Sequence, residues 1–169
     1  AVMLSGETAI GKYAVETVKI MKEILLNTEE EVIQKNISTN ISVEIDKDTR
    51  SAIGDAVKLI SKHLKIDAIV VMTTSGNTAI IVSQYRPQNS IFALTPNISI
   101  CAKLSMVWGI KPILTKEFNS TDEMLIESEK FLVKEKYLKN GDTFVLTSGA
   151  PVGVTGTTNM LKIHKVNIH

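Results

Sequence analysis

The amino-acid sequence predicts an α/β fold, with a mainly parallel sheet of about five strands, helices on both faces and a C-terminal edge strand, preceded by a separate strand-helix unit. Three observations predict it. Ile66, Ala68, Ile69, Val70, Val71 and Met72 form an apolar run without alternation, the pattern of a strand covered on both faces, although a buried helix segment gives the same run. The next residues favour the strand: Thr73-Thr74-Ser75-Gly76 supplies small hydroxyls and a flexible glycine, then Ala79, Ile80, Val82 and Ser83 lead to a polar stop at Tyr85-Arg86-Pro87. The third observation is that this unit of strand, polar turn and helix recurs along the chain.

The opening residues Ala1-Val2-Met3-Leu4 read as the end of an apolar strand without an initiator Met, so a fragment is expected. Ser5-Gly6-Glu7-Thr8 is a polar turn, and Val15, Val18, Met21 and Ile24 or Leu25 recur at helical spacing to about Asn27. From Glu29 to Ile45 isolated hydrophobes sit among acidic residues, Asn, Ser and Thr, as in a connector. The expected organisation is therefore 1–28 as one unit, 29–45 as connector and 46–169 as the main domain.

Asp46 or Asp48 can cap a helix carrying Ile53, Ala56 or Val57, Ile60 and Leu64 on one stripe, with Gly54 as its weak point. Ser90 to Leu94 is the second buried strand, Thr95-Pro96-Asn97 leads to a helix from Ile98 to Trp108, and Gly109 ends it. Lys111 to Thr115 is a third strand, and Thr121-Asp122-Glu123 opens a helix to about Tyr137. Asn140-Gly141-Asp142 turns into the strand Thr143 to Thr147, and Asn159 to Ile168 alternates well enough for an edge strand.

Composition excludes several function classes. Nineteen Lys+Arg against eighteen Asp+Glu leave a formal charge of +1, no footprint for nucleic acid or an acidic membrane. The single cysteine, Cys101, permits neither an internal disulfide nor a zinc cluster and reads as a buried bystander, in keeping with a reducing, cytoplasmic setting. His63, His164 and His169 are too scattered for a metal site. No apolar run reaches the roughly 20 residues that cross a bilayer.

Three loops fall where strands should end: Ser5 to Thr8, Thr73 to Thr78, and Ser148 to Asn159. Open α/β sheets bind ligands at the carboxyl ends of their strands. The second loop opens a helix whose first N–H groups suit an anion, but Thr73, Ser75 and Thr78 serve equally as caps. The third, SGAPVGVTGTTN, is rich in Gly and hydroxyls and reads either as a phosphate-closing loop or as a long hairpin connection. Neither matches the Walker or dinucleotide fingerprint, and Glu7, the one carboxylate of the first loop, is placed to favour a helix dipole.

The opening AVMLSGETAIGKYAVETV resembles the stretch of pyruvate kinase that ends the eighth strand of its TIM barrel and starts the following helix. In order after it, TTSGNTAIIVSQYRPQNSIFALTPN, WGIKPIL and NGDTFVLTSGAPVGVTGTTNMLKIHKV resemble the C-terminal domain of that enzyme. The likeness covers nearly the whole chain and is thinnest over residues 28–45 and 118–129; Ala14 departs from it, since the family usually has Pro after this Tyr.

The resemblance implies, for the parent enzyme, phosphoryl transfer from phosphoenolpyruvate to ADP with Mg2+ or Mn2+ and K+, in a homotetramer. Thr8 matches the substrate-contacting threonine linked to the proton-transfer path, a role suited to a hydroxyl that both donates and accepts. The family's catalytic lysine and its magnesium and potassium ligands belong to earlier sequence, so this chain is expected to hold no metal and to be inactive alone. In regulated members a sugar-phosphate or nucleotide effector is held by segments matching Thr73, Thr74, Ser75, Gly76, Asn77 and Thr78 and the loop with Thr155, Gly156 and Thr157. Where such members add a basic side chain this chain has Met124, Leu125 or Ile126, and Asn77 stands where some have Arg. A free-standing module sensing a phosphorylated metabolite and a purely structural assembly domain are the two other readings.

Overall fold

The computed structural model describes residues 2–34, 48–150, 152 and 157–167. The chain divides into two compact units, residues 1–43 and 44–169.

In the first unit Gly6–Ala9 forms a single helical turn, α1, where a non-helical turn is expected, and Ala14–Gln34 forms a long helix, α2. The strand expected at the start does not form over Val2 to Leu4, and Ala1 lies outside the described residues. A strand needs a neighbour to take its N–H and C=O groups, and the described residues of this unit supply none. Helix α2 runs past Asn27 into the expected connector. Its glutamates favour helix, and Thr28 turns its hydroxyl back on the Ile24 carbonyl at 2.8 Å instead of breaking the turn. The remainder of the connector, 35–45, lies outside the described residues.

The second unit contains α3 (Thr49–His63), β1 (Ala68–Met72), α4 (Asn77–Gln84), β2 (Ile91–Thr95), α5 (Ile98–Leu104), β3 (Ile110–Leu114), α6 (Thr121–Lys134), β4 (Thr143–Gly149) and β5 (Thr158–Lys165). The sheet order is β3-β2-β1-β4-β5, with every neighbouring pair parallel except β4 and β5. Odd and even strand residues both find cover. Ala68, Val70 and Met72 pack with Leu125 and Leu132 of α6, whereas Ile69 and Val71 pack with Val57 of α3, Val82 of α4 and Leu104 of α5. This two-sided burial is why β1 and β2 carry no polar alternation.

Local chemistry sets the ends. Asp48 caps α3 by accepting the Ser51 N–H at 2.9 Å. Ser120 and Glu123 cap α6 together: Ser120 Oγ accepts the Glu123 N–H at 3.1 Å, and the Glu123 carboxylate accepts the Asn119 N–H at 2.8 Å. Helix α6 stops at Lys134, short of Tyr137, because Lys136 turns left-handed at φ 61° and the Tyr137 and Leu138 N–H groups return to the Leu132 carbonyl. Helix α5 stops at Leu104, short of Trp108, where the Ser105 hydroxyl bonds back to the Ala102 carbonyl at 2.7 Å. Strand β5 stops at Lys165, and the Asn167 N–H is taken by Glu129 at 2.9 Å; Ile168 lies outside the described residues.

Gly54 is not merely a weak point of α3. It is buried, and a Cβ there would overlap the Tyr85 ring at the end of α4 and press on Ile81. The Tyr85 hydroxyl donates to the Ser51 carbonyl at 3.0 Å, locking the two helices at this close approach.

Candidate functional site

The order of the strands creates the site. From β1 the chain moves outward through β2 and β3 with α4 and α5 on one face, then crosses back to β4 on the other side of β1 with α6 on the opposite face. Right-handed crossovers require that change of face, and the loops after β1 and β4 diverge to leave a crevice at the carboxyl ends of the strands. A cleft of about 210 Å³ lies there.

The β1 loop forms one wall. Gly76 sits at φ 85°, a left-handed conformation that any side chain would strain, and a Cβ there would also press on Ile100 and Leu104. Its N–H donates to Thr73 Oγ1 at 2.8 Å, closing the turn before α4, and the N-cap residue Gly76 gives the helix no side-chain cap. Thr78 Oγ1 instead meets Thr158 Oγ1 at 2.6 Å, tying α4 to the start of β5. Ser75 Oγ holds only a long 3.5 Å contact from the Asn77 N–H. Thr73, Thr74, Ser75, Asn77 and Thr78 all line the cleft.

The opposite wall comes from β4 and the third loop. That loop is a hairpin connection, since β4 and β5 pair antiparallel, and its described ends Ser148, Gly149, Val152, Thr157 and Thr158 border the cleft. Thr155 and Gly156 lie outside the described residues. Ser148 is 0 % exposed, yet its hydroxyl has no hydrogen-bond partner among the described residues; neither has Thr115 Oγ1, at the end of β3. Both residues line the cleft. Thr147 Oγ1 is orphaned in the same way without lining the cleft, and all three oxygens are shielded from solvent.

Charge enters from residues that no motif in the sequence singles out. Arg50, in the first turn of α3, and Lys116, after β3, both line the cleft, as does Glu117. Arg50 Nε donates to Asp48 Oδ2 at 2.7 Å. Asp48 is held below the usual carboxylate range by the Ser51 N–H and then by Arg50. Lys116 Nζ meets Glu123 Oε1 at 2.8 Å. That bond first, and the Asn119 N–H second, bring the Glu123 carboxyl down to about 2. Met124, one of the three positions expected in place of a basic residue, does line the cleft; Leu125 is buried in the core and Ile126 is exposed. The basic side chains lining the cleft are thus Lys116, after β3, and Arg50, on α3. The signal that could have found the arginine is Asp48-Thr49-Arg50, a cap followed two residues later by a cation on a helix leading to the central strand.

Thr8 is in the other unit, on α1, with its hydroxyl donating to the Ser5 carbonyl at 3.1 Å. Glu7 accepts the Ser5 N–H at 3.0 Å and is lowered by its own backbone N–H and then by that of Ser5, so it acts as a local cap. Burial pushes the Cys101 thiol up, away from the reactive thiolate. Among the described residues no three His, Cys, Asp or Glu side chains are grouped to hold a metal ion, and no helix is long and apolar enough to cross a membrane.

Comparison with known proteins assigns the fold to a family. The family described as the pyruvate kinase alpha/beta domain matches residues 51–164. Pyruvate kinase of Sporosarcina psychrophila is 40% identical over 166 residues, covering 98% of this chain and 28% of the relative. That of Geobacillus stearothermophilus is 41% identical over 167 residues, covering 99% and 28%. A crystal structure of a pyruvate kinase from Cryptosporidium parvum superposes with a TM-score of 0.83 at 23% identity, over 98% of this chain and 33% of that one, and shares the fold. The chain spans a little over a quarter of the length of these curated relatives. It belongs to the pyruvate kinase family and carries the C-terminal α/β domain of that enzyme.

Proposed function

We propose that this chain is the regulatory and assembly part of a pyruvate kinase, and that a phosphorylated metabolite binds in the cleft between the β1 loop and the β4 end. The observation that carries the reading is the helix start at the end of β1, where Ser75, Asn77 and Thr78 line a cleft at the carboxyl ends of β1 and β4 together with Arg50. Backbone N–H groups at a helix start and neutral hydroxyls together satisfy phosphate oxygens.

In the longer protein the reaction moves the phosphoryl group of phosphoenolpyruvate to ADP, giving ATP and an enolate that is protonated to pyruvate. The Thr8 hydroxyl contacts the substrate; it donates to Ser5 now and keeps its own lone pairs to accept. Among the described residues no three His, Cys, Asp or Glu side chains are grouped to hold the divalent ion. The divalent ion, potassium and the lysine that offsets charge in the transition state are assigned to the part of the enzyme outside this chain, and the chain alone does not turn over. The setting is the cytoplasm. Assembly is a homotetramer to which β5, an edge strand with Ile163 exposed, contributes one contact.

The test is a coupled pyruvate assay on the longer protein and on the 169-residue chain, with and without fructose 1,6-bisphosphate, ribose 5-phosphate or AMP. The expected results are turnover only in the longer protein, activation by at least one of the three, and loss of that activation in Ser75→Ala. Activation that ignores this substitution, or turnover by the short chain in proportion to its amount, overturns the reading.

A further inference from the structure

The two edges of the sheet, β3 and β5, differ in what their backbones offer a neighbouring strand. In β3 the Gly109 carbonyl accepts the Ile91 N–H at 3.1 Å, and the Thr115 N–H donates to the Thr95 carbonyl at 3.0 Å. Backbone groups alternate in direction along a strand, so the odd-numbered residues of β3 bond to β2, and Ile110, Pro112 and Leu114 turn theirs outward. The Ile110 N–H is taken by the Val107 carbonyl at 3.3 Å, and Pro112 has no N–H. Among the described residues Leu114 is left as the outward donor of β3.

The β5 edge is the reverse. The Val166 N–H donates to the Asp142 carbonyl at 2.8 Å, so the even-numbered residues of β5 face β4, while Leu161, Ile163 and Lys165 turn both N–H and C=O outward. The chemistry of the side chains does not explain why β3 should be the poorer edge. Leu114 is 53% exposed, with Pro112 and Ile113 half-buried beside it, and an apolar edge strand is a template for another strand. The charged side chain of β3, Lys111, has its ammonium over the rings of Phe92 and Tyr137, at 5.4 and 5.1 Å from their centroids.

We propose that Pro112 closes the β3 edge to strand addition, so that the sheet can be extended at β5 and not at β3. When two copies of an edge strand pair antiparallel about a central outward residue, each central residue donates its N–H to the other's carbonyl. At the centre of β3 that donor is missing, the Ile110 donor beside it is spent within the chain, and the proline ring fills the space the bond would occupy. The closure costs the fold no ladder hydrogen bond, because the bonds to β2 come from the odd-numbered residues. A sheet open at both edges adds copies without limit, whereas one open at a single edge stops at a closed pair.

Light scattering over a range of concentrations tests this on the 169-residue chain, with Pro112→Val, Pro112→Ala and Lys111→Gln. Parent and Pro112→Val are also compared in an Ile163→Pro background, which copies the block onto β5 and spares its bonds to β4. Pro112→Val is expected to reach at least about 1.5-fold the parent's mean mass at the highest concentration, reversed by dilution, and to keep a gain over the parent in the Ile163→Pro background. Pro112→Ala, which restores the N–H on a smaller side chain, is expected to shift the same way, and Lys111→Gln to stay within about a tenth of the parent. Thermal melts confirm that each variant is folded. A mass equal to the parent's for both Pro112 variants at every concentration overturns the proposal. So does a gain that disappears in the Ile163→Pro background, or one that Lys111→Gln matches.

Discussion

The two units of the chain use apolar residues in opposite ways. In the second unit Phe144, Leu132, Leu146 and Val70 are fully buried between sheet and helix. In the first, none of residues 14–32 is buried, and Val15, Val18 and Ile24 of α2 stand more than half exposed. Their spacing is still that of an amphipathic stripe. The sheet domain therefore carries its own driving force for folding, whereas α2 presents a stripe that the described residues of its own unit leave exposed. Helices of that kind gain most of their stability from what covers them. The contrast teaches that an amphipathic pattern reports a surface meant to be covered, not that the cover lies within the same unit.

The largest expected effect breaks the contrast directly. Phe144→Ala opens a cavity in the sheet core and should cost about 3–5 kcal/mol, enough to remove much of a domain's margin. Val18→Ser on α2 should cost less than about 0.5 kcal/mol in the same 169-residue chain. Urea unfolding followed by circular dichroism measures both. A cost for Val18→Ser approaching that of Phe144→Ala would show that α2 has a packed partner within the chain.

A smaller effect sharpens it inside the second unit. Gly54→Ala adds one methyl group where the Tyr85 ring already lies, so it should cost about 1–3 kcal/mol although alanine is the better helix former. Adding Tyr85→Ala should recover part of that loss, because the ring is the obstacle. A Gly54→Ala variant as stable as the parent chain would mean that the α3–α4 approach relaxes without strain.

How much of the molecule is legible in its sequence depends on how local each signal is. The strands β1, β2 and β4 are readable because two-sided burial leaves an uninterrupted apolar run, and the order of elements then fixes the class of fold. The helix ends at Leu104 and Lys134 are not, since a serine back-bond and a left-handed lysine close the helix with residues that carry no strong stop signal. Propensity alone makes Gly54 a weak point; its contact with Tyr85, 31 positions later, is tertiary and invisible to a local window. The hydroxyl loop at Thr73 to Thr78 is readable as a helix start on a strand, and the structure brings Ser148 beside it because β4 pairs directly with β1. Arg50 is not readable as part of the same cleft, since α3 precedes the sheet and only packing of the helix places its first turn there.

The smallest effect tests the rim of the cleft through pH. Glu123, with its carboxyl at about 2 against an ordinary 4.5, is held charged first by Lys116 and then by the Asn119 N–H. Asp48 is lowered as well, first by the Ser51 N–H and then by Arg50. A carboxyl whose folded value lies below its unfolded one stabilises the fold above the unfolded value and loses that contribution as pH falls toward the folded one. For Glu123 the window runs from about pH 4.5 down to about pH 2. Both groups are only half-buried and stay in reach of solvent, so screening keeps the contribution small. Expected is a modest decline in the urea midpoint from about pH 5 to about pH 2.5, shallower in Glu123→Gln, and shallower again in the double variant with Asp48→Asn. The first unit has its own counterpart in Glu7, lowered by the backbone at α1, but it is attached to no buried core, so Glu7→Gln should leave the decline in place. If Glu7→Gln flattens the profile as much as Glu123→Gln does, acid sensitivity is not concentrated at the helix starts around the cleft, and the division between the two units fails at its weakest point.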